Sequence, residues 1–130
     1  MYTATTRAIQ VTVSPQYLAD QSDPAKSQFV WAYRVRIENN GDVAVQLRSR
    51  HWKITDGVGR SQEVKGPGVV GKTPLLRPGE VFEYTSGTPL STPSGIMGGT
   101  YQMMSETGER FDIEIPTFSL DMPSADRRLN

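Results

Sequence analysis

The 130-residue sequence predicts an all-β fold: a two-sheet antiparallel sandwich of about seven strands. Three observations predict it. Apolar and polar residues alternate with a period of two in several windows. Nine Pro and twelve Gly punctuate the chain, so few windows can hold an uninterrupted helix. Each alternating window has a single apolar face, so two sheets must cover each other. The length suits one domain with one core. We place that domain at residues 1–122. Residues 123–130 have little to bury and are expected to form a flexible tail.

The elements follow in order. Arg7-Ala-Ile9-Gln-Val11-Thr-Val13 alternates and marks an early strand. Phe29-Val-Trp31-Ala-Tyr33-Arg-Val35-Arg-Ile37 has large apolar residues at every odd position. Arg34, Arg36 and Glu38 then face water. Asn39-Asn40-Gly41-Asp42 is a turn signal, because Asn and Gly accept positive φ. Val43, Val45 and Leu47 are odd, whereas Trp52 and Ile54 are even. That change of parity predicts a bulge or bend between Leu47 and Trp52. Asp56-Gly57-Val58-Gly59 is a hairpin turn leading to a strand over Ser61 to Lys65. Residues 66–80 read as an ordered loop held down by its Val and Leu residues, with Arg77-Pro78-Gly79-Glu80 as a type II turn. Val81 to Tyr84 is a strand with Phe82 and Tyr84 inward. The stretch from Ser86 to Gly95 reads as a second breaker-rich loop. Gly99 to Ser105 and Glu109 to Ile115 form a hairpin over Thr107-Gly108, extended by Phe118 and Leu120.

Composition excludes several chemistries. There is no cysteine, so a disulfide scaffold, a thiolate metal site and a cysteine nucleophile are ruled out. His51 is the single histidine, which excludes any site needing two imidazoles from one chain. Fourteen Lys+Arg balance fourteen Asp+Glu, which argues against nonspecific nucleic-acid binding. The polar start shows no signal peptide, and no apolar run approaches the ~20 residues of a membrane span. A cytoplasmic protein without membrane or nucleic-acid partners is expected.

Four motifs carry candidate function. Gly66-x-Gly68-x-x-Gly71 spells the dinucleotide pattern, but Pro74, Pro78 and Gly79 follow too soon for the helix that pattern requires. Two readings stay open. The glycines take backbone angles that other residues cannot, or their amides form a concave anion site assisted by Lys72. Arg34, Arg36, Arg48 and Arg50 form one anionic-partner patch if a hairpin joins their strands; an arch across to the other sheet separates the pairs. His51 lies between Arg50 and Trp52, where cationic neighbours oppose a metal ion. Glu106, Glu109, Asp112 and Glu114 are spread along a hairpin and match no calcium-loop pattern. No metal, cofactor or catalytic residue is assigned. Gly-x-Ser-x-Gly is absent and no set of catalytic roles is visible.

Longer motifs carry a resemblance. They are Gly66-Pro-Gly-Val-Val-Gly71, Pro74-Leu75, Leu76-Arg-Pro-Gly-Glu80, Phe82-Glu-Tyr-Thr-Ser-Gly87, and Gly95-x-Met97-x-Gly-x-Tyr101-x-Met103. Gly108-Glu-x-Phe111-Asp112, Ile115-Pro-x-Phe118-x-Leu120 and His51-Trp52-x-Ile54-x-Asp-Gly57 complete them. With them the chain resembles the ApaG family over nearly its whole length, with only the tail beyond about Asp121 outside. The resemblance implies a fibronectin type III-like, immunoglobulin-type sandwich and favours the arch after Ile37. It also implies a small cytoplasmic bacterial protein linked to cobalt tolerance and magnesium efflux. Its gene often neighbours a diadenosine tetraphosphate hydrolase, and related domains occur in eukaryotic F-box proteins and a polymerase-delta-interacting protein. The family has no established catalytic residues to carry over.

The resulting expectation is a non-catalytic binding module with an unidentified protein partner. Its contact surface is the loops at 66–80 and 86–98, with Val69, Val70, Leu75 and Leu76 as anchors to partner or core. Edge strands also allow a homodimer. The alternative is a phosphate or nucleotide binder using Gly66, Gly68, Gly71 and Lys72; a nucleotide hydrolase rests on the gene neighbourhood alone.

Overall fold

The computed structural model describes residues 1–123, so the tail expected at 123–130 lies outside the described residues except for Pro123. Among the described residues, nine strands form two antiparallel sheets: β1 (Tyr2–Thr6), β2 (Ile9–Tyr17), β3 (Phe29–Asn39), β4 (Val45–Asp56), β5 (Ser61–Pro67), β6 (Leu75–Leu76), β7 (Val81–Leu90), β8 (Ser94–Ser105) and β9 (Arg110–Asp121). One sheet has the order β1-β2-β3-β7; the other runs β5-β4-β8-β9, with β6 also on β4. Two short 3-10 turns, Ala19–Gln21 and Pro24–Lys26, link β2 to β3. No helix among the described residues is long and apolar enough to cross a membrane.

The two strands beyond the expected seven are β1 and β6. Tyr2, Ala4 and Thr6 carry too little apolar surface to announce a strand, yet Tyr2 pairs with Val13 and Thr6 with Ile9. The turn between β1 and β2 places Arg7 and Ala8 at φ 50° and 66°, a type I′ geometry made without glycine. Arg7 is held there by Glu109, at 2.9 and 2.7 Å, and its guanidinium lies 4.2 Å over the Phe111 ring.

The odd positions of β3 are buried, as the alternation predicts. They meet the inner face of the other sheet in an aromatic centre. Tyr33 and Trp52 ring centroids are 5.3 Å apart, and Phe118 is within 6.1 Å of both. After β3 the chain crosses between sheets, so the segment is an arch. Buried Asn39 holds it. Its side-chain amide donates to the carbonyls of Val43 (2.9 Å) and Leu76 (3.0 Å), and its side-chain oxygen accepts from the Gly41 amide (2.9 Å).

The expected loop over 86–98 is mostly strand. β7 continues through Gly87 and Pro89 to Leu90, and β8 begins at Ser94. The register explains this. Even positions of β7 pair with odd positions of β3, and the Asn39 amide bonds to the Glu80 carbonyl. The backbone of Gly87 and Pro89 therefore faces away from β3, where the missing proline N–H breaks no ladder bond. Gly99 marks a close approach in the second sheet: a Cβ there would sit 2.0 Å from the His51 carbonyl oxygen.

Candidate functional site

The glycine segment is a bulged connection between β5 and β6 on the edge of β4. Gly68 has φ +60°, and its amide donates to the Arg48 carbonyl at 2.9 Å. Val69 and Lys72 exchange both backbone hydrogen bonds, at 2.8 and 2.9 Å. They close a type I′ turn with Val70 at φ 44° and Gly71 at φ 79°. The amides of residues 68, 69 and 72 are thus engaged inside the protein. Val69 and Leu76 are buried and anchor the segment; Val70 and Leu75 are 55% and 50% exposed. A β-branched residue at positive φ on an exposed tip is a strained position.

Each glycine has its own reason. Gly71 needs only the left-handed backbone, since a Cβ there meets nothing within 4 Å. At Gly68 a Cβ would also collide with the Lys72 carbonyl oxygen at 2.3 Å. At Gly66 it would meet the Arg50 guanidinium at 3.1 Å. That guanidinium donates through Nη1 to the carbonyls of Pro67 and Gly68, both at 2.9 Å.

The four arginines do not share a face, and there are two reasons. First, β3 and β4 belong to different sheets, so Arg34 and Arg36 lie apart from Arg48 and Arg50. Second, the expected bulge falls between Leu47 and Ser49, and it parts Arg48 from Arg50. Arg48 is exposed, with Nη1 3.7 Å from the Met104 sulfur. Arg50 turns toward the space between the sheets, beside Tyr33 and Trp52. Arg34 and Arg36 are paired with carboxylates: Arg34 with Glu83 at 2.7 Å, Arg36 with Glu38 at 2.8 Å and Glu83 at 3.5 Å.

His51 points outward and bonds Glu63 at 2.6 Å, which holds the Glu63 carboxyl below the ordinary range. Glu106 accepts the Ala44 amide at 2.8 Å and Glu109 pairs with Arg7. Among the described residues no group of three or more acidic or histidine side chains gathers as a metal site would require.

The two sides of the sandwich differ. On one, β1 lies against β9. Thr6 Oγ1 accepts the outward Glu114 amide at 3.0 Å, and Tyr2 Oη accepts the Ser119 amide at 3.4 Å. Pro116 removes another N–H from that edge. On the other side, β5 and β7 flank an open cleft of about 260 Å³. Trp52, Ile54 and Met97 form its floor, with Gln62 and Val64 on one wall and Ser86, Gly87, Thr88 and Pro89 on the other. It continues into a hollow of about 270 Å³ beside Asp56, Arg60 and Ser91. Arg50 and Tyr33 sit at its inner end, close to the Tyr84 and Tyr101 hydroxyls, which are hydrogen-bonded to each other. Burial pushes the Tyr33, Tyr84 and Tyr101 hydroxyls up, so all three are neutral.

With this geometry in place, a family model described as the ApaG domain matches residues 19–105. The chain belongs to the ApaG family. It is 66% identical to Protein ApaG of Paramagnetospirillum magneticum and 62% identical to that of Rhodospirillum centenum, each over 130 residues and the full length of both chains. These ApaG relatives therefore run through the tail as well, so the similarity does not stop near Asp121. A crystal structure from Bordetella pertussis, described as an ApaA protein, is 56% identical with a TM-score of 0.87, covering 88% of this chain and 94% of that one. The fibronectin type III-like architecture is thus the ApaG architecture. Within this ApaG chain the cleft residues escape a search for motifs. The available signal was parity: Arg50 shares the even positions of Trp52 and Ile54, which assigns it to their face.

Proposed function

We propose that this chain is a non-catalytic binding module that receives an extended segment of a partner protein along β7. One observation carries the reading: the sandwich has one closed side and one open side. The β1/β9 edge is capped by side chains and a proline, whereas β7 offers ten residues of edge beside the cleft that no other described strand pairs. The outward N–H groups of Glu83, Thr85 and Gly87 are the donors an added strand needs. Alternate side chains of that strand enter the cleft over Val64 and Trp52. The exposed Val70 and Leu75 extend the apolar surface at the neighbouring loop. In this reading the family's link to cobalt and magnesium physiology runs through the partner, and the proposed compartment is the cytoplasm.

The test uses a displayed library of random decapeptides. The selected binders are expected to slow exchange of the Glu83, Thr85 and Gly87 amides. Thr85→Pro removes an outward donor while sparing the β3 ladder, so it should weaken those binders about tenfold at an unchanged melting temperature. Binders that leave the β7 amides exchanging freely and hold Thr85→Pro equally well would overturn the reading.

A further inference from the structure

Among the described residues Arg50 is the one charged residue lining the cleft. Arg7, Arg34, Arg36, Arg60 and Arg77 each face a carboxylate within 4.0 Å. Arg50 faces none among the described residues. Its Nη1 clamps the Pro67 and Gly68 carbonyls, which accounts for one corner of the guanidinium. Nε and Nη2 have no acceptor among the described residues. That pair of donors forms the edge by which arginine grips a carboxylate through two parallel hydrogen bonds.

The surroundings strengthen the attraction. The Tyr33, Tyr84 and Tyr101 hydroxyls are kept protonated by burial, so none supplies a counter-charge. A half-buried cation is screened less by water and salt than an exposed one. The shape of the cleft selects the carrier. It is flanked by strand edges and open along its length, which suits one side chain of an extended backbone.

We propose that Arg50 selects the partner by taking the carboxylate of an acidic residue on the extended segment lying along β7. This rests on the β7 reading above. The partner is thus an extended peptide with one Asp or Glu aimed inward among β-branched or other apolar residues.

The experiment uses synthetic decapeptides of alternating Thr and Val, in which one Glu is walked along the inward positions. Matched sets carry Gln or phosphoserine instead, and free acetate and inorganic phosphate are titrated alone. One Glu position is expected to bind about tenfold tighter than its Gln counterpart, with a shift of the Arg50 Nε–H resonance. Arg50→Gln should erase that preference while the Gln peptide still slows exchange of the Thr85 amide. Arg50→Lys should restore it only in part, because an ammonium lacks the fork. Equal binding of Glu and Gln peptides with β7 protected would overturn the carboxylate assignment and leave the β7 reading standing. Preference for phosphoserine, or response to the free anions alone, would also overturn it. No protection of β7 by any peptide would sink both.

Discussion

The three glycines of Gly66-x-Gly68-x-x-Gly71 should differ sharply when each is replaced by alanine. A phosphate-cradling motif would lose ligand at all three; the structure gives each a separate stability cost. Gly71→Ala forces a Cβ into the left-handed region, at about 1 kcal/mol, with no collision. Gly68→Ala carries the same backbone cost and places a Cβ 2.3 Å from the Lys72 carbonyl oxygen, where ordinary C···O contacts begin near ~3.3 Å. That oxygen must move by about 1 Å, opening one or both hydrogen bonds between Val69 and Lys72, each worth about 1 kcal/mol. The sum is about 2–3 kcal/mol. Gly66→Ala meets only the end of the flexible Arg50 side chain and should stay below about 1 kcal/mol. Urea unfolding followed by tryptophan fluorescence measures all three. The melting temperature should fall by about 3–5 °C per kcal/mol. Equal losses at Gly68 and Gly71, or a neutral Gly68→Ala, would refute the reasoning.

Other outcomes follow from the same geometry. Asn39→Ala strips partners from the Val43 and Leu76 carbonyls and the Gly41 amide and should cost about 3 kcal/mol in urea unfolding; a loss below about 1 kcal/mol would mean the arch holds itself. Tyr101→Phe leaves the buried Tyr84 hydroxyl unpaired, at about 1–2 kcal/mol, whereas the double Phe variant should cost less than the two single changes added; strict additivity in the cycle would contradict the pairing. Glu109 has its carboxyl held below the ordinary range by the Arg7 hydrogen bond. Its contribution to stability is therefore full above the unfolded value near ~4.3 and is lost as pH falls through the lower folded value. A carboxyl-detected NMR titration should show this depression, and Arg7→Ala should abolish it.

Much of the fold was legible because period-two alternation reports directly on burial. Phe29 to Ile37 gave β3 with its faces correctly assigned, and the parity change after Leu47 announced a real bulge. What stayed hidden depended on partners distant in sequence. β1 is held by pairing with β2 and by Tyr2 and Thr6 reaching β9, interactions that a five-residue window with so little apolar surface does not display. Gly87 and Pro89 read as breakers because a window cannot tell which backbone edge faces a neighbour. At the candidate site, Gly68 and Gly71 do adopt the positive φ angles that one of the two open readings required. The four arginines were grouped as two strand pairs. The bulge that parted Arg48 from Arg50 was anticipated, but its position one residue before Ser49 was not.

The capped margin at β1 and β9 fixes the valency of the molecule. With one sheet border stitched shut, backbone-to-backbone association has a single direction in which to proceed. Two copies meeting through β7 would close as a twofold pair and leave the β5 border of each as the remaining place for backbone pairing. Any other guest strand seated on β7 would likewise leave further growth to β5 alone, whose Ser61–Lys65 run is exposed.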